Sequence, residues 1–228
     1  MTTRRNFLIG ASQVGALAVM SPKLVFATPL KQKPVRILST GLAGEQEFHS
    51  MLRARLTHTG QVDIASVPLD AAIWASPARL AQAMDALNGT RLIAFVEPRN
   101  ELILMQFLMD RGAAVLIQGE HAVDSKGVSR HDFLSTPSSA GIGGALADSL
   151  AKGGSPFSIS VRALGSVTAH PRSNQSEVAT HWTTALGTYY ADIAVGRWEP
   201  QAEVASYGSG LIMAERLDRV ASTFIADL

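Results

Sequence analysis

Residues 76–96 read SPARLAQAMDALNGTRLIAFV and hold a helix and a strand back to back. Ser76 stands where an N-cap hydroxyl accepts from the first turn, and Pro77 suits the first helical position, where a missing N–H costs nothing. Leu80, Met84 and Leu87 recur at helical spacing, and Asn88-Gly89 supplies a left-handed stop. Arg91 to Val96 then runs apolar without alternation, as a strand buried on both faces of a parallel sheet does. A helix that hands over through a tight turn to such a strand predicts an α/β architecture.

The same unit recurs on either side. Val35 to Ser39 is a short apolar strand, after which Phe48, Leu52 and Leu56 fall on one helical face; Val62 to Val67 alternates as a strand. Pro98 to Asp110 reads as a helix closed by Gly112, and Ala113 to Ile117 as another buried strand. Strand starts at Val35, Val62, Arg91 and Ala113 lie 27, 29 and 22 residues apart, the length of a strand, a crossover helix and two short loops. This predicts a single Rossmann-like or flavodoxin-like three-layer domain over residues 28–228, with a mostly parallel sheet of about five strands. The second half is less regular. Ser138 to Lys152 reads as a small-residue helix and Phe157 to Leu164 as a fifth strand. Val178 to Val195 is a helix with Trp182, Leu186, Tyr189 and Ile193 inward, and Ser209 to Asp227 a closing amphipathic helix. Leu102 to Met109 is apolar almost all round, which fits a helix buried on two sides; dimerisation through it would satisfy the same pattern.

Composition removes much chemistry. The 228 residues include no cysteine, which excludes disulfides, iron–sulfur clusters, thiolate zinc sites and a cysteine nucleophile. No G-x-S-x-G elbow or H-E-x-x-H helix occurs, so a classical serine hydrolase or zinc protease is disfavoured.

At the N-terminus, Arg4-Arg5-Asn6-Phe7-Leu8 precedes the small and apolar run Gly10 to Met20, then Lys23 and Val25-Phe26-Ala27. This segment resembles a twin-arginine (Tat) signal peptide. The resemblance implies recognition by the Tat translocase, export of an already folded chain to the periplasm, and cleavage after Ala27. It covers the first 27 residues only, and no cofactor is named by the sequence. Removing Arg4, Arg5 and Lys23 leaves 17 basic against 19 acidic residues, a net charge of −2. A slightly acidic chain without a basic run has no electrostatic footprint for nucleic acid, and no stretch after the signal is long enough for a membrane span. A periplasmic protein partner or a second copy of the chain is the partner such a module would take.

In open parallel sheets ligands bind beyond the carboxyl ends of the strands. Five segments qualify here or nearby. Ser39-Thr40-Gly41-Leu42-Ala43-Gly44 reads either as an anion cradle built on Ser39, Thr40, Gly41 and Gly44, or as a tight turn stabilised by its own Glu45 and Glu47. Glu97 and Arg99 follow the third strand. Asp124 to Gly127 is a turn; pairing Val123 with Val128 sets His121 opposite Arg130 and Glu120 opposite His131, so that Glu120, His121 and His131 are equipped for acid–base work or half of a metal site. A solvated cross-strand contact fits the same residues. Ser138 to Gly144 offers glycines for an anion or for close packing, and the polar loop Ala169 to Gln175 offers His170 and Arg172 as ligand clamps. Two readings follow. One is a non-catalytic exported module that binds a small anionic or nucleotide-like ligand, or serves as accessory subunit of an exported redox system. The other is an exported enzyme using Glu/His acid–base chemistry at the sheet edge.

Overall fold

The computed structural model describes residues 32–123, 128–135, 146–147, 149–150, 157–163, 172–174, 182–197 and 218–228. The signal segment, the Ser138–Gly144 glycines and His170 lie outside them, as do residues 178–181 and 209–217 of the two expected C-terminal helices. The chain is α/β. Among the described residues a single sheet holds eight strands, in the spatial order Ile64–Pro68, Val35–Ser39, Arg91–Val96, Asp218–Asp227, Ala114–Val123, Ser129–Ser135, Phe157–Ala163 and Arg172–Asn174.

The first half follows the sequence closely. Strand β1 (Val35–Ser39) leads into helix α1 (Glu45–His58), strand β2 (Ile64–Pro68), the single-turn helix α2 (Ala71–Trp74) and helix α3 (Pro77–Asp85). Ser76 caps α3 by accepting from the Arg79 amide, Pro77 sits in its first turn, and Gly89 takes a φ of 79° after it. Leu80, Met84 and Leu87 are buried. Strand β3 (Arg91–Val96) is buried at all six positions, and helix α4 (Pro98–Asp110) is followed by Gly112 with a φ of 68°. β1 pairs in parallel with both β2 and β3.

The sheet departs from the expected parallel form in its second half. Strand β4 (Ala114–Val123) runs the same way as β1 to β3 but does not pair with them. The C-terminal strand β8 (Asp218–Asp227) lies between β3 and β4, antiparallel to both. The expected closing helix over Ser209 to Asp227 is therefore corrected: its described part is a central strand, with Ala221 to Ala226 buried on both faces. Strand β5 (Ser129–Ser135) pairs antiparallel with β4, β6 (Phe157–Ala163) parallel with β5, and the short β7 (Arg172–Asn174) antiparallel with β6. The sheet is thus mixed and eight-stranded rather than mostly parallel and five-stranded.

Two apolar layers flank it. Phe48, Leu52 and Leu56 of α1 join Leu186, Tyr190 and Ile193 of helix α5 (Trp182–Ala194) on one face. Leu80 and Met84 of α3 join Leu104 and Leu108 of α4 on the other. α1 and α5 meet almost backbone to backbone: a Cβ on Gly187 would stand 2.5 Å from the Phe48 carbonyl oxygen. α4 is buried on one side only. Leu102, Ile103 and Met109 are exposed, which corrects the expectation of a helix buried on two sides. No helix among the described residues is long and apolar enough to cross a membrane.

Candidate functional site

The connections place helices on opposite faces of the sheet on either side of β1. The chain leaves β1 through α1 to reach β2 on one flank, then returns through α2 and α3, across the other face, to β3 on the opposite flank. The winding reverses at β1, and in doubly wound sheets the place where it does so, outside the carboxyl ends of the strands on either side, is where ligands bind. The loops there are Thr40 to Gly44 and Glu97 to Arg99. The N-terminus of α5 reaches the same edge: Trp182 packs on Phe95, ring centroids 5.9 Å apart. A Cβ on Gly44 would lie 2.9 Å from Cγ2 of Thr183. Gly44 has a φ of 83° and Gly41 a φ of 77°, left-handed conformations that side-chain-bearing residues rarely adopt.

Two of the amides in the first loop are already used. The carboxylate of Glu45, itself buried, accepts from the Thr40 amide at 2.8 and 3.0 Å and from the Leu42 amide at 2.8 Å. Glu45 thus stabilises the turn that Ser39, Thr40, Gly41 and Gly44 form, and puts negative charge at the positive end of α1. His49, one turn on, has its Nδ1 3.6 Å from Glu45, and burial holds its imidazole below the ordinary value of 6.5. Buried at the edge without a hydrogen-bond partner among the described residues are the hydroxyl of Thr183 and, beside Glu45, Nε2 of His49. Arg99 is exposed, and its Nε lies 2.5 Å from a Glu97 carboxylate oxygen. Arg172 belongs to the outer strand β7, away from this edge in the strand order.

The acid–base trio is rearranged by a one-residue shift in register. Val123 pairs with Ser129, not with Val128, so His121 stands opposite His131 and Glu120 opposite Asp132. In a strand such a shift moves every partner to the other face. Glu120 is exposed on the α4 side of the sheet, where the neighbouring inward position, Gln118, donates to Glu101 at 2.7 Å. His121 and His131 are fully buried on the α5 side. The expected Glu120–His131 pairing does not form.

A buried hydrogen-bonded chain forms instead. Nδ1 of His121 lies 2.8 Å from Nδ1 of His131; His131 Nε2 lies 3.0 Å from the Ser129 hydroxyl, and His121 Nε2 lies 2.6 Å from that of Thr223, which in turn meets the Tyr190 hydroxyl. The Trp182 ring lies 5.4 Å from both imidazoles and stacks on His121. Burial pushes the His131 imidazole down to about 3 and the Tyr190 phenol well up, in each case favouring the neutral form. Thr223 and Tyr190 carry no sequence signal of their own; only the placement of β8 at the centre of the sheet brings them to the histidines. Among the described residues no group of three or more His, Asp or Glu lies together as a metal centre requires.

Comparison with known proteins adds no relative. No family model matches the chain, and neither the curated proteins nor the solved structures contain a significant match.

Proposed function

We propose that this chain is an exported, non-catalytic binding module whose small anionic or nucleotide-like ligand sits over the carboxyl ends of β1 and β3. The observation that carries the reading is the reversal of winding at β1. It is the point at which doubly wound sheets of the flavodoxin type hold their ligands, and here the order β2-β1-β3 reproduces it. Three helix N-termini, those of α1, α4 and α5, end at this edge, and amide dipoles there favour a negative group. Glu45 neutralises the first. The ligand's anionic group therefore belongs nearer α4 and α5, within reach of Arg99 and the uncommitted Thr183 hydroxyl. Export through the Tat-like segment is part of the same reading, since a module folded before export can carry its ligand with it.

Burial of His121 and His131 supports a structural role for the pair, which favours binding over acid–base turnover. The test is a thermal-shift screen of nucleotides and small carboxylate or phosphate anions, followed by calorimetry on any stabilising compound. Arg99→Ala is expected to weaken binding at least tenfold, as loss of a charged hydrogen bond does, and Glu120→Ala to leave it unchanged. Unaltered affinity in the Arg99 and Thr183→Val variants would refute the assignment.

A further inference from the structure

The outward face of α4 carries an uncovered stripe. Residues 99, 102, 103, 106, 109 and 110 recur at three- and four-residue spacing, so they share one face of the helix, away from Leu104 and Leu108, which enter the core. Leu102, Ile103 and Met109 are 72%, 44% and 53% exposed, and they are three of the five large apolar side chains exposed among the described residues. Three such groups on one thirteen-residue helix form a patch, where an ordinary surface scatters them singly. We propose that a second copy of this chain covers the patch, with α4 packed antiparallel on the partner's α4 across a two-fold axis.

The charges on the stripe select the partner. Arg99, 80% exposed, stands in the first turn of α4, and Asp110 is its last residue. A cation at the positive end of a helix and an anion at its negative end both oppose the macrodipole. The helix has no use for either: Glu97 at the N-cap and the buried Glu101 already complement its first turn. At the other end Asp110 accepts from Gln106 at 2.8 Å, while its neighbour Arg111 is turned to the Asp85 carboxylate and the Ala81 carbonyl of α3. An antiparallel copy reverses both signs. Arg99 then meets the partner's Asp110 at the negative end of the partner's helix, and the two-fold forms the same pair again at the other end. That register also sets Ile103 opposite the partner's Gln106, and it brings Leu102, Ile103 and Met109 of the two copies together between the charge pairs. A cation and an anion that flank one apolar patch along one axis make a surface complementary to itself, a symmetry that a different protein partner would not require. The interface does not rest on the binding reading, although Arg99 adjoins both the strand-end loops and the stripe.

The experiment is sedimentation velocity on the purified protein over a dilution series, with the variants Leu102→Glu, Arg99→Asp, Asp110→Arg and the double variant Arg99→Asp/Asp110→Arg. No ligand enters the measurement, so failure of the binding reading leaves it unaffected. The wild type is expected at twice the mass of one chain, dissociating on dilution. Leu102→Glu places a carboxylate in the apolar patch and should leave a monomer. Each single charge reversal sets like charges together twice and should weaken the dimer at least about tenfold. The double reversal exchanges the two signs and should restore the dimer to within about threefold of the wild type. The substituted side chains are exposed, so far-ultraviolet circular dichroism and Tm should be close to wild type in every variant. Asp110, about 18 Å along the axis from the start of α4, tests the interface clear of the strand-end loops. A monomer at every concentration, a dimer indifferent to Leu102→Glu and to both single reversals, or a double variant no better than the singles would overturn the proposal.

Discussion

Arg91, buried at the start of β3, is gripped by Asp227 near the end of β8 through two parallel hydrogen bonds of 2.7 and 2.8 Å. The third arm of the guanidinium reaches the Ala194 carbonyl at the C-terminus of α5. Lys33 approaches the same carboxylate at 3.7 Å and donates to the Leu228 carbonyl. One side chain thereby fastens β3, the last strand and the helix over them. Asp227→Asn leaves a buried guanidinium without its counter-charge, and equilibrium urea unfolding should show a loss of about 3 kcal/mol or more. Arg91→Met combined with Asp227→Leu should recover a large part of it.

Two glycines mark close approaches of different kinds. A Cβ at Gly119 would lie 2.7 Å from the Thr223 hydroxyl and 2.8 Å from the Phe133 ring, whereas one at Gly187 would meet the backbone of α1. Side chains give way more readily than backbone. Gly119→Ala should cost about 1–3 kcal/mol by overpacking, and Gly187→Ala should cost more, with Tm values from calorimetry deciding the order.

Stability should fall in acid for a defined reason. His131 and His49 both have folded imidazoles held below the ordinary 6.5 by burial, so the unfolded chain binds protons the folded one refuses. Their contribution is complete above pH 6.5 and drains as the pH falls from there, through about 3 in the case of His131. His131, whose folded value lies far below 6.5, contributes a slope of about 1.4 kcal/mol per pH unit within its window, and His49 acts in the same direction. Urea midpoints measured from pH 7.5 to 4.5 should decline with a constant m-value. A flat profile would contradict the burial of these rings.

At the alkaline end the sign reverses. Tyr189 and Tyr190 have phenols raised by burial, so their contribution is complete below pH 10 and is lost as the pH rises beyond it. Two of the three tyrosines should therefore ionise only as the near-ultraviolet circular dichroism collapses, read from phenolate absorbance in the same titration.

Removal of residues 218–228 should abolish cooperative folding. β8 supplies the partner of both β3 and β4, and an amide correlation spectrum of the shortened chain should lose its dispersion. Had this segment been a peripheral helix, the sheet would have survived its loss.

That contrast explains what the sequence made legible. Ser76-Pro77 and Asn88-Gly89 bracket α3 because caps and stops are local chemistry, and β1, β3 and α4 follow from runs whose length and neighbours leave one reading. Val220, Ala221, Phe224, Ile225 and Leu228 recur at three- and four-residue spacing, which mimics a helix face. The run is instead apolar on alternate sides because a central strand buries both of its faces, and periodicity alone does not separate those cases. Register failed for a related reason. Val123 pairs with Ser129 where the Asp124–Gly127 signature implied Val128, and one residue suffices to replace a Glu–His pairing by a His–His one. The loops beyond β1 and β3 were identifiable from strand ends; Thr183, Thr223 and Tyr190 reach their places only through long-range packing.

The most direct test of the binding account is native mass spectrometry, with an absorption spectrum, on protein recovered from the periplasm after export by its own N-terminal segment. The account predicts a stoichiometric small molecule that leaves on denaturation and whose occupancy falls in Arg99→Ala and Thr183→Val. A bare protein mass, unchanged after incubation with nucleotides or small anions, would contradict it.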